Sequence, residues 1–320
     1  MITKTLGSTG LLVTPLGIGG GSLASMPESF GYAVPEAQAL QTLRRAFRGP
    51  INFLDTAASY GEGEGERRIG VVLREVGGLP AGYVLSTKAD RNMQTGDYSG
   101  DQTKRSIERS LRLLEADRLQ LVFLHDPEHA TFEQVMARDG PLEVLRQYKA
   151  EGVIGHLGVA GGPVDLMIRY VETQAFEVVI THNRFTLLNR SAEPLLDRAS
   201  QLGVAVLNAA PYGSGILAKG PDAYPRYAYQ DAASSVVELA RRMAEICRRH
   251  HVPLAAAALQ FSLRDPRIVS TIIGMSRPER IDETLSLAAH PIPDAMWPHL
   301  EGLPVGREDP EAGRWSKARG

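Results

Sequence analysis

The chain is poor in the features that mark several large classes of protein. One cysteine, Cys247, stands in 320 residues, so an internal disulfide framework is excluded. No apolar run approaches the roughly 18 residues that cross a bilayer, and Met1 to Val13 has no apolar signal-peptide core. Those absences predict a cytoplasmic protein with no membrane partner. Aromatic residues are only 6%, and 35 Lys+Arg against 37 Asp+Glu leave a net charge of −2. No basic excess exists to release counterions from a nucleic acid, so small molecules are the expected partners.

What is present is an ordinary globular composition, 43% hydrophobic and 22% charged, that can bury a large core. Residues 1–14 alternate weakly around Gly7-Ser8-Thr9-Gly10 and read as an N-terminal β-hairpin. Eight short apolar runs follow: Pro15–Gly19, Ile51–Leu54, Tyr83–Thr87, Leu119–Leu124, Ile154–Val159, Val178–Ile180, Val204–Leu207 and Ile268–Ile273. Between them, apolar residues recur at helical spacing, as in Leu40, Leu43 and Phe47, or Val237, Ala240, Met243 and Cys247. Strand and helix alternating predicts a parallel sheet, and eight such units suit an α/β chain closed as a (β/α)8 TIM barrel better than an open doubly wound sheet. With no linker evident, residues 1–320 are expected to form a single barrel domain. The polar tail 301–320 is expected to lie on the surface.

In a barrel of this kind the chemistry sits at the C-terminal strand ends. The second run ends in Asp55 and leads to Tyr60, the third in Lys88, and the fourth in His125. A free phenol titrates near 10, too high for work at neutral pH. A lysine ammonium about 4 Å away, at an effective dielectric near 20, favours the phenolate by roughly 4 kcal/mol, or about three pKa units at most. The expectation is therefore a phenol brought toward working pH by Lys88, with Asp55 keeping the lysine charged and His125 orienting the substrate oxygen.

These residues carry a resemblance to the aldo-keto reductase family. The stretch Asn52-Phe53-Leu54-Asp55-Thr56-Ala57-Ala58-Ser59-Tyr60-Gly61 resembles the family's strand 2 signature, and Ser86-Thr87-Lys88 its strand 3 end. Ser110 to Leu114 and Leu124-His125 resemble its strand 4 segment, and the likeness runs from about Leu6 to about Leu300. It implies a TIM barrel that binds NADP or NAD without a Rossmann domain and uses Asp55, Tyr60, Lys88 and His125 as its catalytic set. His125-Asp126-Pro127, Asn183 to Leu188 and Asn208 to Leu217 are most similar to the aldose dehydrogenase branch, of fucose or galactose type. The resemblance also implies cofactor contacts from Asn183, Asn208, Gly274, Ser276, Arg280 and Glu283. Arg280 stands where the family presents an arginine to the 2′-phosphate, which places NADP slightly ahead of NAD. Gly274 stands where many NADP-preferring members carry lysine. The chain departs from the family elsewhere: Ala160-Gly161 replaces the common Ser-Asn, His182 or Asn183 must stand in for the usual glutamine, and Ala209 replaces an aromatic.

Other motifs have plainer readings. Gly17-Ile18-Gly19-Gly20-Gly21 opens no amphipathic helix, so close packing or close ligand approach explains it better than a dinucleotide fingerprint. His125 and His129 are four apart, but Pro127 between them breaks a helix and no third ligand is evident, so no metal site is expected. Tyr212, Tyr224, Tyr227 and Tyr229 crowd the loop after the seventh run and are read either as a cover over the site or as surface aromatics. Two further functions compete with hydride transfer. One is a barrel aldolase using Lys88 as a Schiff-base nucleophile, and the other is a non-catalytic cofactor-binding regulatory subunit.

Overall fold

All eight apolar runs are strands of one sheet. In the computed structural model, which describes residues 1–315, they are β3 (Leu16–Gly19), β4 (Phe53–Asp55), β5 (Val84–Ala89), β6 (Leu119–His125), β7 (Ile154–Ala160), β8 (Val178–His182), β9 (Ala205–Ala209) and β12 (Ile268–Gly274). They pair in parallel and close as a barrel in the order β12-β3-β4-β5-β6-β7-β8-β9. The N-terminal hairpin, β1 (Lys4–Thr5) with β2 (Leu12–Val13), precedes the barrel as expected. A second hairpin, β10 (Arg226–Tyr227) with β11 (Gln230–Asp231), lies in the loop after β9.

Side chains alternate in and out along each strand, and this alternation sorts the core into two parts. Inward-facing Phe53, Val84, Leu121, Phe123, Val178, Ile180, Leu207 and Ile272 fill the barrel, with Leu6 and Val13 of the N-terminal segment packed among them. Outward-facing Leu54, Leu85, Val122, Leu124, Val179 and Val206 meet the helices. Helices α2 (Glu36–Phe47), α3 (Glu64–Val76), α4 (Gly100–Leu114) and α10 (Ser234–Arg249) each turn one apolar stripe to that layer. Gly17 shows why the glycine-rich run is there: a Cβ at that position would stand 2.7 Å from the Phe53 ring. Close packing inside the barrel accounts for Gly17.

Candidate active site

The last inward-facing residue of each strand forms the barrel mouth, and its chemistry is divided by strand. Three neighbouring strands end in Asp55, Lys88 and His125, while β9, β12 and β3 on the other side end in Ala209, Gly274 and Gly19. The polar half is tightly bonded. Lys88 Nζ donates to Asp55 Oδ2 at 2.6 Å, to the Thr56 carbonyl at 2.7 Å and to Tyr60 Oη at 3.3 Å. Ser86 donates to the other oxygen of Asp55 at 2.8 Å. The loop that carries Tyr60 is laid along β5, with Thr56 N donating to the Ser86 carbonyl and Ala58 N to the Lys88 carbonyl. Gly61 closes that loop at φ +58°, where a Cβ would stand 2.5 Å from the Ala24 carbonyl, so only glycine fits.

Charge at this site differs from the sequence expectation. Burial pushes the Tyr60 phenol up to about 12 and outweighs the attraction of Lys88, whose field Asp55 partly cancels. The phenol therefore keeps its proton at neutral pH instead of being drawn toward it. Burial works against charge on Lys88, but Asp55 overrides it and the ammonium is held above its ordinary pKa. A lysine so paired offers no free amine, which removes the basis for Schiff-base chemistry.

His125 is held from three sides. Its Nδ1 lies 2.6 Å from Asp90 Oδ1, its Nε2 lies 3.6 Å from Asp126 Oδ1, and its carbonyl accepts from Tyr98 Oη at 2.5 Å. The Tyr60 and His125 rings stand edge to face with centroids 5.9 Å apart. Burial disfavours the imidazolium, but Asp126 and Asp90 outweigh it and raise the His125 pKa. Asp90 is a site residue that the strand-end reading passed over, although it lies only two positions beyond Lys88.

The small half of the mouth is a cradle. The nearest atom to a Cβ built on Gly274 would be Ser22 Oγ at 3.6 Å, and that hydroxyl is buried with no hydrogen-bond partner among the described residues. An open backbone floor beside an unpaired hydroxyl fits a flat, polar cofactor ring. Farther out, Arg277 and Arg280 both reach Glu283, at 2.8 and 3.1 Å, at the start of α12 (Glu279–Ala289). Arg280 lies 6.0 Å from the Tyr212 ring centroid, and the Ser276 carbonyl accepts from Gln38 at 2.7 Å. Arg280 and Glu283 are thus paired with each other, and Gly274 and Ser276 precede them at the end of β12 and in the loop after it.

Two expected cofactor contacts point elsewhere. Asn208 alternates outward on β9, and its amide donates to the Phe185 carbonyl and Ser262 Oγ, both at 2.8 Å, among the helices. The Asn183 side chain is fully buried, donating to Glu311 at 3.0 Å and accepting from Ser214 at 3.1 Å. Both side chains fasten the fold instead, Asn208 through Phe185 and Ser262 and Asn183 through Glu311 and Ser214. The residue of β8 that faces the mouth is His182, with Nε2 3.2 Å from Glu311 Oε1.

Glu311 also corrects the reading of the tail as a surface segment. It is fully buried, and with Asp309 it binds Arg184, at 3.3 and 2.6 Å. Gly306 bridges to Asn189, so the segment 306–311 runs back beside the barrel mouth. The stretch 316–320 lies outside the described residues. The tyrosine-rich loop covers the mouth from the other side: Tyr224 Oη donates to the Phe30 carbonyl at 3.1 Å, and Tyr229 lies 6.3 Å from the Phe30 ring and 6.5 Å from that of His182.

A closed parallel barrel whose mouth sets a protonated phenol against a buried, charged lysine, beside an open cradle, defines an oxidoreductase that exchanges a proton with a substrate oxygen. The chain belongs to the aldo/keto reductase family, whose profile matches residues 15–304, and it is an NAD(P)-dependent oxidoreductase. It is similar to a D-threo-aldose 1-dehydrogenase of Pseudomonas sp, 29% identical over 92% of this chain and 94% of the relative. A pyridoxal 4-dehydrogenase of Microbacterium luteolum is 30% identical over 94% of this chain and 97% of the relative. A solved aldo-keto reductase of Bacillus halodurans, in its holo form, shares the fold with a TM-score of 0.76 at 24% identity, covering 98% of this chain and 99% of its own. Among the described residues, no helix is long and apolar enough to cross a membrane, and no group of three or more His, Cys, Asp and Glu is placed to hold a metal ion.

Proposed function

We propose that the enzyme oxidises an aldose at its anomeric carbon to a lactone, in the cytoplasm, and that Asp55, Tyr60, Lys88 and His125 are its catalytic set. The observation that carries the reading is the 3.3 Å contact of Lys88 Nζ with Tyr60 Oη at a barrel mouth that also holds His125 and Asp126. Bound nicotinamide supplies or takes the hydride. Gly274, Ser276, Arg280 and Glu283 hold that cofactor, with NADP slightly ahead of NAD because of Arg280. The protein's own task is the proton. In the reducing direction, Tyr60 Oη holds a proton that it gives to the substrate oxygen. In the oxidising direction, the phenolate that accepts the proton is supported by the Lys88 charge, and Asp55 keeps that charge in place. His125 Nε2 orients the same oxygen. Asp126 and His182 add polar groups suited to further hydroxyls, which supports a sugar, as does the similarity to the Pseudomonas enzyme.

Phe30 and Tyr229 over the mouth favour a second reading, an aromatic or other small aldehyde as substrate, in keeping with the pyridoxal dehydrogenase. The deciding experiment is a fluorescence titration with NADP and NAD, followed by an absorbance screen of aldoses and aldehydes. Turnover of an aldose to its lactone is expected. Brisk aldehyde reduction with no sugar oxidation would transfer the assignment to the second reading.

A further inference from the structure

Among the charged side chains of the mouth, Asp90 has a place that the four catalytic residues do not explain. It is only 6% exposed, and both its oxygens are used. Oδ1 faces His125 Nδ1 at 2.6 Å, and Oδ2 accepts the Ser59 backbone N–H at 2.8 Å, one residue before Tyr60. Its own backbone is pinned by α4, since Asp90 N donates to Ser106 Oγ at 3.0 Å and its carbonyl accepts from Gln102 Nε2 at 3.1 Å. One carboxylate therefore joins the strand that carries His125 to the loop that carries Tyr60, and the helix layer holds it still.

We propose that Asp90 is a positioning residue of the reaction, which takes the Nδ1 hydrogen of His125 so that Nε2 faces the substrate oxygen, and which ties that imidazole to the Tyr60 loop. The proposal rests on the catalytic set put forward above. A carboxylate at Nδ1 selects the tautomer with hydrogen there and supports the imidazolium when a proton is added at Nε2. The charged imidazole then donates Nε2–H to the oxygen beside Tyr60 Oη. Other groups act on the same ring. Asp126 lies 3.6 Å from Nε2, Lys88 on β5 opposes the charge, Glu128 interacts with both Asp126 and His125, and the Tyr60 ring meets the imidazole at its edge. His182, His129 and Arg91 in turn act on Asp126. Asp126 and Asp90 together outweigh burial and Lys88, and of the two carboxylates only Asp90 is within hydrogen-bond distance of a ring nitrogen.

The test is Asp90→Asn, which keeps a carbonyl oxygen for Ser59 N–H and removes the charge. In cofactor-free protein, an NMR titration of labelled His125 is expected to show its ionisation falling by about one pH unit or more, with the neutral tautomer shifting toward hydrogen on Nε2. In the working enzyme, kcat for reduction is expected to drop on the order of 100-fold, and the alkaline limb of its pH profile to move down with the NMR value. Cofactor affinity should stay the same. In a His125→Gln background the same change should cost little more, because the two residues act as a unit. Asp90→Glu, which restores the charge, should recover part of the ionisation shift, and it takes the place of Asp90→Asn should that variant not fold. An unmoved His125 titration and pH limb, with only a lower Tm, would overturn the proposal. Should the wild type turn over no carbonyl or hemiacetal, the catalytic reading fails, while the titration still decides whether Asp90 sets the tautomer.

Discussion

The guanidinium of Arg184 lies 3.3 Å from the carboxylate of Glu311, and both side chains are fully buried although 127 residues separate them. Asp309 completes the pairing from the rim of the same segment. This arrangement binds the C-terminal segment to the end of β8, next to the mouth residue His182. Removing one partner of such a pair leaves a buried charge uncompensated, which costs far more than the pair contributes when whole.

Glu311 makes stability depend on acid. Burial raises its carboxyl pKa, but His182, Arg184 and Asn183 override it and hold the group down to about 2, below its ordinary 4.5. A carboxylate depressed on folding contributes its full stability above the unfolded value and loses it as pH falls through the folded one. The loss is therefore expected between about 4.5 and about 2. Glu311→Gln should lower stability near neutrality by on the order of 3 kcal/mol and flatten the acid decline. Urea unfolding of both proteins across that range checks it.

Tyr60→Phe removes the hydroxyl that exchanges the proton and leaves the ring in place. The rate should fall by about 10²- to 10⁴-fold, while a cofactor titration stays close to wild type. Retention of more than about a tenth of kcat would take the proton away from Tyr60.

Lys88→Met deletes the charge nearest the phenol. Burial and Asp55 then act on Tyr60 unopposed, so the phenol rises further above its value of about 12 and the oxidising reaction needs higher pH. Asp55, only 5% exposed, also loses its counter-ion, so Tm should drop as well. A lower Tm with an unmoved pH profile and an intact rate would leave Lys88 a purely structural ion.

Arg280→Ala tests the grip on the cofactor's 2′-phosphate. A charge-assisted hydrogen bond contributes about 1.5 to 3 kcal/mol, so NADP should bind roughly ten- to a hundredfold more weakly, and NAD far less affected. Glu283, held by both Arg277 and Arg280, must share its partners with that phosphate. Glu283→Gln, which keeps a polar side chain for the cofactor but gives up the charge that competes for the two arginines, should therefore shift the ratio toward NADP. Calorimetric titration with both oxidised cofactors gives the ratios, and equal losses for the two in Arg280→Ala would mean that the arginine does not read the phosphate.

The barrel and the polar half of its mouth were legible because both are local. Each strand is a short apolar run with a polar residue at its end, and strict alternation means that Asp55, Lys88 and His125 must face inward if Phe53, Val84 and Phe123 do. The same rule, applied one strand at a time, would have turned Asn208 outward and His182 inward. Asp90 was within reach too, two residues past Lys88, but only its distance from His125 shows what it does.

The sequence by itself determined the eight strand–helix units, the parallel closure and the group of phenol, ammonium, carboxylate and imidazole, because periodicity and strand ends are properties of neighbouring residues. Only the tertiary structure decided the charge states and the long-range ties. Tyr60 keeps its proton because burial outweighs one lysine that is already shared with Asp55. Glu311 is held inside by Arg184, more than a hundred residues earlier, which also pairs with Asp309 beside it. Desolvation and the pairing of distant charges depend on what surrounds a group in three dimensions, and no local pattern along the chain records it.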